Sequence, residues 1–203
     1  MKLYYKPGAC SLSPHIVFRE LDIPFDMVLV DHRAKTIVET GESYVPINPK
    51  GGVPFFELDD GEILTEGAAL LQYLCDKKPE MGLMPERGTM EHYRALEWLS
   101  FIGSDFHKGF GWIFNPMGND RTKEIGQALL NPRFELVSEK LGNNDYLMGD
   151  RFMAPDAYFY VILRWALGAE LPVGDSLKAY VKRIEARPLV QKTLEIEGID
   201  AVG

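Results

Sequence analysis

Every stretch of this chain that reads as β-strand lies ahead of Thr65, and everything after Lys77 reads as helix. That asymmetry leaves few architectures. A small mixed sheet with helices packed on it comes first, and an all-helical half follows. The break falls at Lys77-Lys78-Pro79-Glu80-Met81-Gly82-Leu83-Met84-Pro85, where prolines and a glycine interrupt the helical pattern. The expected division is residues 1–78, a linker 79–86, and a helical unit 87–203.

The first strand is Lys2-Leu3-Tyr4-Tyr5, closed by the turn Lys6-Pro7-Gly8-Ala9. Cys10-Ser11-Leu12-Ser13-Pro14 reads as the mouth of a helix, with Ser11 and Ser13 as candidate caps and Pro14 in the first turn. Pro14, Val17, Phe18 and Leu21 keep the spacing of one apolar helical face. At that mouth Cys10 would meet free N–H groups and the positive end of the helix dipole, both of which favour a thiolate. A small cysteine that only packs is the other reading of the same position. Residues 25–31 form a second strand candidate, and the intervening helix predicts a parallel pair. Residues 32–41 are polar and read as a short helix or irregular segment, in which Lys35 is either solvated or serves an acidic ligand.

Asn48-Pro49-Lys50-Gly51-Gly52-Val53-Pro54 is a loop by every local signal, and it leads into a hairpin over residues 55–64. A proline at this place is either an ordinary trans residue starting an edge strand or a cis one. The cis form would turn the Val53 backbone outward, toward a peptide-like ligand. Thr65-Glu66-Gly67 opens the next helix, with Thr65 as candidate cap. A bare helix start with a glycine admits a carboxylate, and Glu66 beside it can hold an ammonium. The same pattern also begins many ordinary helices. Cys75 lies on an apolar stretch and reads as core.

In the second half, residues 87–114 read as one helix. Leu96, Leu99, Gly103, Phe106 and Phe110 make an apolar stripe, while Ser100, Gly103, Ser104, His107 and Gly111 make a different one. A groove of small residues with one imidazole leaves room for a ligand; a tight helix contact with a satisfied histidine is the alternative. Residues 120–142 are amphipathic. The helix that Asp156 opens is apolar nearly all round, which marks it as central and buried. Residues 176–187 and those from Pro188 on close the chain.

Composition narrows the function. The chain has 203 residues, is 46% hydrophobic and 26% charged, and carries net charge -8 with no basic tract. It can bury a substantial core, and its charge argues against nucleic acid and anionic membrane partners. Cys10 and Cys75 stand far apart with no metal spacing, so neither a disulfide framework nor a metal is expected. No stretch approaches the ~18 apolar residues of a membrane span, and the start lacks a secretory leader's apolar run. A cytoplasmic protein is the expectation.

Several stretches in combination resemble one family over nearly the whole chain. They are Met1-Lys2-Leu3-Tyr4-Tyr5-Lys6-Pro7-Gly8-Ala9-Cys10-Ser11-Leu12, Asn48-Pro49-Lys50-Gly51-Gly52-Val53-Pro54 and Leu64-Thr65-Glu66-Gly67. Glu97-Trp98-Leu99-Ser100, His107-Lys108-Gly109-Phe110, Asp156-Ala157-Tyr158 and Leu163-Arg164-Trp165-Ala166 complete the set. The chain resembles the bacterial beta-class glutathione S-transferases. The resemblance implies an α/β thioredoxin-like N-terminal domain, an all-helical C-terminal domain and a homodimer. It implies Cys10 and His107 at the sulfur of glutathione, which would be the co-substrate. Val53, next to Pro54, would pair with the tripeptide backbone, Glu66 and Gly67 with its γ-glutamyl end, and Lys35 with its glycine carboxylate. Tyr5, Ser11, Ser100, Ser104 and Asp105 match positions at or near the site, the last three lining it or reaching into a neighbouring subunit's site. Two departures stand out: Met153 replaces a capping Ser or Thr, and Ser100 stands where relatives often carry Asn.

The reaction implied is attack of the glutathione thiolate on a small electrophile such as an aromatic halide, epoxide or peroxide, with His107 and Cys10 stabilising the sulfur anion. Phe106, Phe110, Trp112 and Phe114 are candidates for the apolar side of the cleft, and core is the alternative for at least half of them. Disulfide exchange through Cys10 is a second reaction the same residues allow. A non-catalytic glutathione or apolar-ligand binder is the rival from outside enzymes.

Overall fold

The computed structural model describes residues 1–203. The first half holds β1 (Lys2–Tyr5), α1 (Leu12–Glu20), β2 (Asp26–Asp31), β3 (Thr36–Ile37), β4 (Phe55–Glu57), β5 (Ile63–Thr65) and α2 (Gly67–Lys77). The strands form one sheet in the order β3-β2-β1-β4-β5. β1 and β2 run parallel across the α1 crossover, as the strand–helix–strand pattern requires, and the other pairs are antiparallel. Alternation sorts the side chains of the central strands: Leu3 and Phe56 face the main core, while Tyr4 and Phe55 face a smaller cluster with Val30 and Tyr44.

The expectation for residues 32–41 is overturned in part. The segment turns at residues 32–35 and returns as the edge strand β3, with Val30 opposite Ile37. No helix forms there. Lys35 takes φ +60 in that turn, an uncommon conformation for a residue with a side chain.

The second half is helical throughout: α3 (Met90–Phe101), α4 (Lys108–Ile113), α5 (Asp120–Leu141), α6 (Ala154–Gly168), α7 (Asp175–Glu185) and α8 (Pro188–Glu197). The single helix expected over 87–114 is not continuous. A π-helical segment, Ile102–His107, separates α3 from α4. Such wide turns shift the helical phase and recur at functional sites; this one ends on His107.

α6 is the central element, buried along nearly its whole length and packed on α1 of the first half. Its missing hydroxyl cap is replaced locally. The Asp156 N–H bonds the Met153 carbonyl rather than a side chain, at 3.0 Å. The Asp156 carboxylate in turn accepts from the N–H groups of Met153 and Leu147 and from the Tyr180 hydroxyl, at 2.7–2.8 Å. Only one of the cap's two reciprocal bonds is lost.

Candidate active site

A cleft of about 480 Å³ lies between the two halves. The first half contributes Cys10, Asn48, Lys50, Gly52, Val53, Pro54 and Thr65 to Ala68. The second contributes Gly103, Ser104, His107, Lys108 and Tyr158. Of the residues singled out in the sequence, Cys10, Val53, Pro54, Glu66, Gly67, Ser104 and His107 therefore meet on one surface.

Cys10 lies just before α1, and its thiol donates to the Val53 carbonyl at 3.0 Å. The thiolate expected from the helix mouth is not favoured here. Burial pushes the thiol up to about 12, although its own N–H, that of Ser11 and the Lys6 ammonium pull the other way. Desolvation outweighs the helix mouth because the side chain is 8% exposed. Cys10 is thus a neutral S–H donor. Neither serine caps α1: the Ser11 hydroxyl bonds the N–H and C=O of Lys6, and the Ser13 hydroxyl bonds the Cys10 carbonyl.

The Val53–Pro54 bond is cis. The Val53 N–H makes no hydrogen bond within the chain, and Val53 lines the cleft. Thr65 does not cap α2 either. It ends β5, and its hydroxyl accepts from Lys50 Nζ, which also pairs with Glu66 at 2.6 Å. Glu66 precedes α2 with φ +73 and no side-chain cap, so the first N–H groups of α2, at Gly67 and Ala68, open on the cleft. Free helix N–H groups beside a carboxylate and an ammonium suit a ligand carrying both charges.

His107 reaches the cleft from the π-helical segment. Its Nδ1 pairs with the Tyr158 hydroxyl at 2.7 Å. Burial lowers its pKa, against a weaker opposing pull from Glu66, so the ring is neutral at pH 7. Burial also holds the Tyr158 hydroxyl protonated. The Tyr158 ring lies over Gly67 and Gly103, where a Cβ would come within 3.6 and 3.7 Å of it.

Tyr158 is the main functional candidate that sequence reasoning missed. It was hidden among apolar neighbours in α6; the signal was a phenolic O–H that, once buried, requires a partner. Asn48, Lys50 and Lys108 were also missed, although they lie in stretches already marked as loop or adjoining His107. The remaining sequence candidates sit outside the cleft's lining. Tyr5 stands edge-on to His15. Lys35 Nζ donates to the Gly51 carbonyl, adjoining Gly52 of the lining. Ser100 is exposed on α3. Asp105 accepts from Ser104 and from Arg133. Phe106 and Phe110 are core, as the alternative for at least half of the four aromatic candidates required, while Trp112 and Phe114 are exposed.

Family models for the glutathione S-transferase N-terminal and C-terminal domains match residues 9–82 and 95–188. The chain belongs to the glutathione S-transferase family. It is 40% identical to glutathione S-transferase GstA of Escherichia coli O157:H7, over 98% of this chain and all of that one. Among solved structures it is similar to a ternary complex of BphK, a bacterial GST, with TM-score 0.94, 42% identity and coverage of 98% of this chain and 100% of that chain. A bacterial beta class glutathione S-transferase from Sphingomonas chungbukensis aligns with TM-score 0.92 and 39% identity, covering 98% of this chain and 100% of that one. The fold and family read from the sequence are borne out. The enzyme is a glutathione transferase, and glutathione is its thiol substrate.

Proposed function

We propose that this transferase binds glutathione with its sulfur between Cys10 and His107 and conjugates it to a small electrophile. The observation that carries the assignment is the convergence of a neutral thiol and a neutral imidazole, one from each half, on one cleft. The Val53 N–H and C=O meet the tripeptide backbone. The open start of α2 at Gly67 takes the γ-glutamyl carboxylate, and Glu66 takes its ammonium. Lys35 supplies positive charge for the glycine carboxylate, while Lys50 stays paired with Glu66 and Lys108 lines the cleft. Tyr5, Ser11, Ser100, Ser104 and Asp105 act around this core, by holding the loop and the rim.

In the reaction the thiol proton leaves to water and the sulfur anion is held by donors. Tyr158 O–H donates to His107 Nδ1, which puts the ring proton on Nε2, facing the sulfur. The Cys10 S–H turns from Val53 to the same anion. A carbon–sulfur bond then forms as the leaving group departs with its electron pair. Donors fixed before the reaction stabilise developing charge without reorganisation. The Cys10 thiol, raised by burial to about 12, is a poor nucleophile, which favours conjugation over disulfide exchange through Cys10. Phe114, stacked on Phe110 at 5.4 Å, offers apolar surface to the electrophile.

The functional units are residues 1–78 and 87–203, joined by 79–86. Exposed Met90 and Tyr93 on α3 suit a contact with a second copy. The family likeness supports a cytoplasmic homodimer, and no helix is long and apolar enough to cross a membrane. The test is the rate of glutathione conjugation in Cys10→Ala and His107→Ala. A tenfold or greater loss in His107→Ala, with a smaller one in Cys10→Ala, is expected. Full rates in both would overturn the assignment.

A further inference from the structure

Gly8 stands two residues before Cys10, with φ +68, and both of its backbone polar groups are bonded to side chains of the helical half. Its N–H donates to Glu197 Oε2 at 2.9 Å. Its C=O accepts from Trp165 Nε1 at 2.9 Å. The local bonds of this turn are Ala9 N–H to Lys6 C=O, Leu12 N–H to Ala9 C=O and the Ser11 hydroxyl to the Lys6 backbone. They shape the turn without fixing where it sits against the second half. Together with the packing of α1 on α6 and α8, the two side-chain bonds do that, from 189 and 157 residues away.

Glu197 is itself held in a closed chain of donors. Arg19 Nε donates to His15 Nε2 at 3.1 Å, and His15 Nδ1 lies 2.8 Å from Glu197 Oε1. Arg19 can only donate, so His15 Nε2 is the acceptor and the ring proton sits on Nδ1, directed at Glu197. Glu197 therefore accepts on both oxygens, from Gly8 and from His15. A carboxylate meets both demands, whereas an amide has one oxygen and meets one. The side chains of His15 and Glu197 are fully buried, so no water replaces a lost bond.

Trp165 makes a second link. Its ring meets His107 edge-on, with centroids 5.0 Å apart. One indole thus touches both the peptide leading to Cys10 and the imidazole across the cleft. Cys10 lies outside α1, tied to its first turn through a carbonyl that accepts from the Ser13 N–H and hydroxyl, while the chemistry requires its thiol within hydrogen-bond reach of a sulfur that His107 also reaches.

We infer that Glu197 and Trp165 are positioning residues: from the helical half they clamp the Gly8 peptide and so hold Cys10 in register with His107. The inference rests on the reading of Cys10 and His107 as the groups at the glutathione sulfur.

The test uses the full chain with Trp165→Phe, Glu197→Gln and a control, Tyr180→Phe, which removes a buried hydrogen bond to Asp156 far from Gly8. Alkylation of Cys10 by iodoacetamide is followed by site-resolved mass spectrometry, with buried Cys75 as the internal reference. Both clamp variants are expected to speed Cys10 alkylation roughly five- to tenfold, the shift one hydrogen bond supports, and to leave Cys75 unchanged. They are expected to lower kcat while the KM for glutathione moves by less than about twofold. Tyr180→Phe is expected to lower Tm alone. In the wild-type protein the Gly8 amide should exchange with solvent as slowly as those of α1, a readout independent of any variant's folding. Unchanged Cys10 alkylation in the clamp variants, an equal rise at Cys75 or in Tyr180→Phe, or Gly8 exchange as fast as at the turn residue Gly61 would each overturn the inference. Alkylation and exchange need no glutathione, so a protein that fails to bind the tripeptide can still display the clamp, and the two failures are told apart.

Discussion

Replacing Tyr158 by Phe removes one oxygen from the cleft and little else. The ring keeps its place over Gly67 and Gly103, so packing is conserved. What disappears is the 2.7 Å bond to His107 Nδ1. His107 is largely shielded from water, and the nitrogen then lacks a partner. Losing such a bond costs about 1–2 kcal/mol, weighing the net value of a hydrogen bond against the penalty for an unmet polar atom. The imidazole also loses the contact that fixes which nitrogen carries its proton, so most of this energy should appear in the transition state. That corresponds to a roughly 5- to 30-fold fall in kcat/KM. Stability should fall by about 1 kcal/mol, or about 2–4 °C in Tm for a chain of this size. The assay is steady-state conjugation of glutathione to an activated aryl chloride, beside a thermal melt. A variant that melts a few degrees lower yet keeps full kcat/KM would refute the reasoning, because His107 would then act without Tyr158 or not at the sulfur at all.

Other outcomes follow from buried titratable groups. Asp156→Ala strands the N–H groups of Leu147 and Met153 and the Tyr180 hydroxyl, and should cost about 2–4 kcal/mol, a drop of roughly 5–15 °C in Tm. Burial raises the Asp156 carboxyl to about 6, so the folded state holds that proton more tightly than the unfolded chain does. The stability it contributes is full below the unfolded value and declines as pH rises through about 6, so the gap between wild type and variant should be wider at pH 5 than at pH 7. A gap independent of pH, read from melts at both values, would contradict this. For Cys10, whose thiol is pushed up to about 12, the rate of alkylation should keep climbing with pH and show no plateau below about pH 10. A plateau near neutrality would mean a thiolate after all.

The layout of the fold was legible because its signals are local and redundant. Prolines and a glycine between Lys77 and Pro85 marked the division, and the apolar run of α6 announced a buried helix. What was not legible depended on tertiary surroundings. The edge strand β3 is only two residues long, Thr36 and Ile37, below the length at which alternation can be read. The π-helical segment before His107 breaks a pattern that the sequence continues without interruption. Capping expectations at Ser11, Ser13 and Thr65 failed because each hydroxyl found a nearer partner: the Lys6 backbone, the Cys10 carbonyl and the Lys50 ammonium. The ionisation of Cys10 was left open by the sequence for a related reason. Helix-end effects can be read from a sequence, whereas the burial that outweighs them here is a property of the assembled halves. Tyr158 and the Gly8 clamp join residues more than 50 apart, so no spacing rule could have paired them.

The most direct measurement is an ultraviolet titration of the glutathione thiol while it is bound to the protein. A cleft that aims the Cys10 S–H and the His107 imidazole at the sulfur should lower the thiol pKa by at least about one unit relative to free glutathione. The shift should shrink in His107→Ala. A bound thiol that ionises at the same pH as the free tripeptide would contradict the proposed chemistry.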